Sequence, residues 1–353
     1  MPDHPAPAPE PRTGSPGRNA AIEWLRALSI LYIVAYWHLL GYAPAIRDFK
    51  NPVNSRITVV VLALFLFVSG HLIGRGLQRS PGVRRFYQRR LVRIYPPYLL
   101  ALLLFEASGL LWRNQFLESA VLISALTGDP PLTLWFITVL MVDVLLAPWL
   151  LLLRRRVNPA GSRSGDGWLL LALLVLPLLL AWLVQGPDPR LFFYFPAFAA
   201  GLLAPLPGPG DNRAGRLALL GTAAGLAGGL VLSISAGGVS ESNMAHMPLT
   251  LFGAWFLVLA TNRLLAGRRT PWLIAQLGLA SYFMYLFHRP LFKLFTGWFM
   301  PGSAGAQLAW LLLGCVPLIA LISWAGQIGY DALVTRLQTA GRPDPAATAA
   351  PDR

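Results

Sequence analysis

The chain has 353 residues, of which 55% are hydrophobic and only 12% charged, and its formal charge is +14. Soluble domains carry about 25% charged residues, so water does not solvate most of this chain. Its apolar residues come in blocks near the roughly 18 to 20 needed to cross a bilayer as a helix. The blocks leave no room for a soluble domain that folds alone, and no stretch joins the arginines to a soluble recognition fold, which sets nucleic-acid binding aside.

Residues Met1 to Asn19 are rich in Pro, Gly and small polar side chains and read as a disordered cytoplasmic tail. The apolar segment from Ala20 contains Glu23 and Arg26 and lacks a small-x-small cleavage site, so it reads as a retained helix rather than a signal peptide. Membrane-spanning helices are predicted at 20–41, 56–75, 92–112, 134–153, 167–185, 191–206, 214–235, 246–262, 272–293 and 306–330. The run 117–127 is too short to span and is expected in the interface. The sixth segment contains Pro196 and is expected to tilt or break. Gly221, Gly225 and Gly229 give the seventh a face for close helix packing. Cys315 sits in an apolar run and reads as a buried, inert thiol. The fold class is therefore an all-α membrane protein: one ten-helix domain over 20–335 between tails at 1–19 and 336–353.

Basic residues set the orientation. With a cytoplasmic N-terminus, the cytoplasmic segments collect about 21 of them and the outer segments about six. Both termini are accordingly expected inside a multi-pass cell membrane protein.

A polar side chain at membrane depth costs free energy and marks a candidate functional site. Arg26 and His38 share the first helix, about 18 Å apart along it, and Glu23 lies one turn before Arg26, where the two can pair. As an ion pair, Glu23 and Arg26 would merely anchor the helix. His38 alone also fits a histidine bonded between helices. A second cluster, Phe86-Tyr87-Gln88-Arg89-Arg90-Leu91-Val92-Arg93-Ile94-Tyr95-Pro96-Pro97-Tyr98, puts Arg90 and Arg93 on one helix face. Arginine holds phosphate oxygens bidentately, so Arg89, Arg90 and Arg93 could cradle a phosphate-bearing donor, or could simply mark the cytoplasmic face. Three further segments stand out: Phe65 to Ile73 with Ser69, Gly70 and His71; Leu134-Trp135-Phe136; and Ser281 to Pro290 with Tyr282, Tyr285, His288 and Arg289. Each alone reads as helix packing with interfacial aromatics.

In this order, the segments resemble the acyltransferase-3 family of integral membrane acyltransferases. Glu23-Trp24-Leu25-Arg26-Ala27 is similar to its acidic-x-Leu-Arg-Ala/Gly start, and His38 to the histidine closing its first-helix motif. Arg89 to Tyr98 is similar to its Arg-Arg-x-x-Arg-Ile-x-Pro-x-Tyr run, and Leu134 to Phe136 and Ser281 to Pro290 to its later signatures. There are two departures. Eleven residues, Ala27 to Trp37, separate Arg26 from His38 where the family usually has ten. Either a π-bulge absorbs the extra residue or Arg26 and His38 do not face the same cavity. His71 stands where the family usually has an aromatic or apolar residue and is a candidate for a variant site.

The resemblance implies transfer of an acyl group, acetyl by expectation, from a cytoplasmic acyl-CoA donor to a hydroxyl on a cell-envelope glycan, lipid or other small acceptor. His38 is the implied base or acyl carrier, Arg26 a stabiliser or donor-orienting group, and Arg89, Arg90 and Arg93 the donor contacts. Glu23, His71, Trp135, Tyr282 and His288 are additional candidates, and no metal or resident cofactor is expected. The rival reading is a membrane transporter using Arg26 and His38 in a substrate or proton path. A non-catalytic scaffold is the third.

Overall fold

Backbone amides that meet no water must close their own hydrogen bonds, so every apolar block of this chain folds as a helix. The computed structural model describes residues 19–340, apart from 45, 47, 48, 80, 81, 113, 114, 160, 161, 205 and 207–211. Its helices are α1 (Ala20–Tyr32), α2 (Pro52–Gln78), α3 (Val83–Ala107), α4 (Gln115–Ala120), α5 (Ser124–Thr127), α6 (Trp135–Val157) and α7 (Arg163–Leu183). After these come α8 (Arg190–Leu203), α9 (Asn212–Ser235), α10 (Met247–Leu264), α11 (Trp272–Trp298), α12 (Ala304–Ala309) and α13 (Val316–Ala340). Among the described residues there is no strand. All ten expected segments are helical, and the run 117–127 forms the two short helices α4 and α5. Asn19 caps α1, and residues 336–340 continue α13; the rest of both expected tails lies outside the described residues, as do Arg12, Arg18, Arg47, Arg113, Arg342 and Arg353.

Among the described residues, seven helical stretches are long and apolar enough to cross a membrane by length and composition: Ala20–Tyr42, Pro52–Gln78, Trp135–Val157, Gly165–Leu183, Arg213–Ser235, Met244–Leu264 and Ala304–Gln338. The other three long segments form but fall short for a physical reason. α3 opens nine residues earlier than expected, because its arginine run is itself helical. α8 has 14 residues, and α11 is diluted by Gln276, Ser281, His288, Arg289 and Lys293. These same three helices supply polar side chains to the cavities described below.

Helix ends follow their local chemistry. The Asn51 side chain accepts from the amides of Val53 and Asn54 ahead of Pro52. α3 stops at Gly109, whose φ of 60° lets the amides of Gly109 and Leu110 reach back to the carbonyls of Glu106 and Phe105. α8 lies at the centre, with eleven of its fourteen residues buried; it runs unbroken through Pro196. Its contact with α2 depends on glycine: a Cβ at Gly201 would lie 2.0 Å from the Phe67 carbonyl oxygen, and one at Gly70 2.3 Å from that of Phe198. Gly70, singled out with Ser69 and His71, thus serves packing. On α9, Gly225 faces Phe252 and Gly229 the Leu249 backbone, as expected of a close-packing face, whereas Gly221 faces open space.

Side-chain bonds hold the two ends of the bundle. At one end Asn19 donates to Asn262 at 3.2 Å, and the Tyr330 hydroxyl to the Val92 carbonyl. At the other, Arg56 ties α2 to the carbonyls of Ser233 and Gly237, each at 2.8 Å, and Lys293 donates to Ser108.

Candidate active site

The twelve-residue offset between Arg26 and His38 is resolved by the backbone. Residues Ile33–His38 form a π-helical turn between α1 and a short 3₁₀ turn at Leu39–Tyr42. A π turn takes up one extra residue, so the offset behaves as eleven would in an α-helix. At about 100° per residue that brings the two side chains to within about 20° of one line. Both accordingly face α11. The Arg26 guanidinium donates to the Ser281 hydroxyl at 2.9 Å, and His38 Nδ1 bonds to His288 Nε2 at 2.8 Å. Ser281 and His288 are seven residues apart on α11, two turns along one face. Close approach of the two helices is eased at Gly278, where a Cβ would sit 3.2 Å from the Glu23 carbonyl oxygen.

The two imidazoles stack with centroids 4.7 Å apart. Fully buried His288 directs its Nδ1 to the carbonyls of Tyr285 at 2.8 Å and Met284 at 3.1 Å. Carbonyls only accept, so Nδ1 of His288 bears its proton. With both rings neutral, His288 Nε2 is then an acceptor, His38 Nδ1 donates to it, and His38 Nε2 keeps a free lone pair. His38 is half-buried and lines a cavity of about 500 Å³, the histidine cavity. Trp37, Lys50, Trp135, Arg190, Glu241 and Arg289 also line it.

A second cavity, of about 310 Å³, opens on the arginine-rich end of α3. Arg26, Arg90 and Arg93 line it together with Ser281, Gln327 and Asp331. Gly76 on α2 leaves room for Arg90, whose Nη2 would stand 3.1 Å from a Cβ there. Tyr282 lines this arginine cavity and donates to the Ile94 carbonyl at 2.7 Å, fixing α11 against α3.

Tyr285 lines both cavities. Its ring lies 5.1 Å from that of Phe136 and 6.4 Å from that of Phe65, centroid to centroid, and both phenylalanines line the arginine cavity. Consecutive residues Trp135 and Phe136 therefore border one cavity each, and the aromatic cluster is the boundary between them.

Of the sequence-predicted residues, the structure brings Arg26, Arg90, Arg93 and Tyr282 to the arginine cavity and His38 and Trp135 to the histidine cavity, with His288 directly behind His38. Arg89 is exposed and lines neither, which separates it from the expected donor set. His71 also lines neither. Glu23 is at the α1–α11 approach. Sequence reasoning gave no site role to Lys50, Arg190 or Glu241, and Tyr285 and Arg289 entered it only as residues of a motif. No group of three or more His, Cys, Asp or Glu residues able to hold a metal occurs among the described residues.

A family model for an acyltransferase domain, acyltransferase-3, matches residues 19–326 of this chain. No curated protein and no solved structure matches it.

Proposed function

We propose, for a chain that belongs to the acyltransferase-3 family and is therefore an acyltransferase, that it moves an acyl group, acetyl by expectation, from a cytoplasmic acyl-CoA donor to an acceptor hydroxyl. The acceptor is a glycan, lipid or other small molecule of the cell envelope. The site would lie within a ten-helix bundle of the cell membrane, with the arginine-rich end in the cytoplasm, in keeping with the charge asymmetry of the loops. The observation that carries the reading is the His38–His288 bond. It leaves His38 Nε2 unprotonated in one cavity, while three arginines line another that meets it at Tyr285.

In this reading Arg90 and Arg93, with Arg26, hold the donor phosphates by charge-assisted hydrogen bonds. Arg26 takes the donor-orienting role rather than stabilising the oxyanion, since it lines the arginine cavity and not the one lined by His38. The flexible arm of the donor passes the Phe65–Phe136–Tyr285 boundary and presents its thioester to His38. His38 Nε2 accepts the proton of the acceptor hydroxyl as the oxygen attacks the thioester carbonyl. The C–S bond then breaks, and the thiolate takes the proton back from His38. Ester and thiol are the products, and His38 ends as it began.

Proteoliposomes test this directly. Labelled acyl-CoA supplied at the arginine-rich face should yield acylated acceptor and free thiol, whereas donor supplied only at the other face should yield neither. Uptake of a solute without thiol release would instead support the transporter reading.

A further inference from the structure

The histidine cavity holds more positive charge than a neutral hydroxyl compound requires. Among the described residues, Lys50, Arg190 and Arg289 line it against one carboxylate, Glu241. Arg190 is already engaged. Its Nε donates to Asp188 Oδ1 at 2.8 Å and its Nη2 to Oδ2 at 2.5 Å, and the guanidinium lies 4.4 Å from the Trp135 ring centroid. Glu241 accepts from the Tyr194 hydroxyl at 2.7 Å, and burial raises its carboxyl above the ordinary range against the pull of Arg190. Neither Lys50 nor Arg289 forms an ion pair with a described residue. The Nε–H of Arg289 is buried and meets no acceptor among the described residues. A guanidinium donor left in that state costs free energy that an incoming oxyanion would recover. Arg289 directly follows His288, so an anion seated on it lies beside the His38–His288 pair.

We infer that the acceptor carries an oxyanion, phosphate or carboxylate, near the hydroxyl that is acylated, and that Arg289 with Lys50 binds it. This rests on the histidine cavity being the acceptor site. The charge makes the site selective: the anion fixes the acceptor so that one hydroxyl meets His38, while Trp37 supplies an aromatic wall for a sugar ring.

Binding and transfer are read separately on the purified full chain in detergent. The probes are glucose, glucuronate, glucose 1-phosphate and a polyprenyl phosphoglucose. The three anions should raise the melting temperature and compete for one site, with an affinity advantage over glucose of about 10- to 100-fold. Arg289→Gln should bring charged and neutral probes within about twofold, and Lys50→Gln should weaken the preference in the same direction. A greater response to the polyprenyl compound than to glucose 1-phosphate identifies a lipid-linked acceptor; equal responses identify a soluble one. Three results overturn the inference: equal binding of glucose and the anions, no binding of any anion, or anion binding that survives Arg289→Gln and vanishes in Arg93→Gln. Binding that depends on Arg289 without acyl transfer to any probe leaves the anion site standing and counts against its use as the acceptor site.

Discussion

In the proposed mechanism His288 acts through His38, and replacing it should reveal how much of the reaction depends on a fixed imidazole. In His288→Ala the Nδ1–H of His38 loses its acceptor at 2.8 Å, and nothing selects the tautomer that leaves Nε2 free. An unpaired buried donor costs about 1 to 3 kcal/mol. Carried into the transition state, that is a fall in kcat of about 5- to 150-fold, at 1.36 kcal/mol per factor of ten. In the proposed function the donor is held by the arginine cavity, which His288 does not line, so the KM for acyl-CoA should stay within about twofold. In His288→Gln the side-chain carbonyl can stand where Nε2 stood, and it should restore a large part of the rate. The assay is thiol release with varied donor at saturating acceptor, run beside thermal unfolding. An unchanged kcat in His288→Ala would refute the reasoning. So would a raised donor KM, or a His288→Gln variant as slow as Ala despite a normal melting temperature.

Three further expectations follow from packing and charge. Gly201→Ala forces a methyl to 2.0 Å from the Phe67 carbonyl oxygen and should destabilise the bundle by about 1 to 3 kcal/mol, whereas Gly221→Ala, into open space, should leave the melting temperature unchanged. Arg93→Ala should raise the donor KM far more than the acceptor KM, with partial rescue by Lys, which lacks the bidentate fork; Arg89→Ala should change neither. Cysteines placed at Asn51 and Gly237 should react with an impermeant thiol reagent from outside and one at Gly82 should not, against a low background because the native Cys315 is buried; labelling at Gly82 from outside would reverse the orientation.

The helices were legible in the sequence because backbone burial in lipid admits few alternatives. Each apolar block gave a helix, and the boundaries that moved did so for local reasons. α3 gained its arginine turns, whose side chains line a cavity at the bundle end, and α11 ran on to Trp298. The first-helix spacing was legible as a conflict: the π turn at Ile33–His38 absorbs the extra residue, yet Arg26 and His38 still line different cavities. Individual candidates were legible too, Arg26, Arg90, Arg93, His38 and His288 among them, but that three arginines line one cavity and the two histidines bond each other was not. The remainder is the product of tertiary convergence. Arg190 opens α8, Glu241 lies between α9 and α10, and Lys50 comes from the stretch after Leu39–Tyr42. No local pattern in the sequence announces that these three meet. Tyr285 could have been found by a register argument, since it lies four residues after Ser281 and three before His288 on the same face of α11.

The central claim is that His38 performs the proton transfer, and a comparison of single-turnover acyl transfer between the native chain and His38→Ala tests it most directly. His38→Ala should leave insertion unchanged and, by stranding the buried His288 Nε2, cost about 1 to 3 kcal/mol of stability. The loss of a positioned base should slow transfer by about 10² to 10⁴, while acyl-CoA should still bind at the proposed contacts Arg26, Arg90 and Arg93. Near-native transfer by His38→Ala, with His71→Ala or His288→Ala slow instead, would contradict the account and move the base to another histidine.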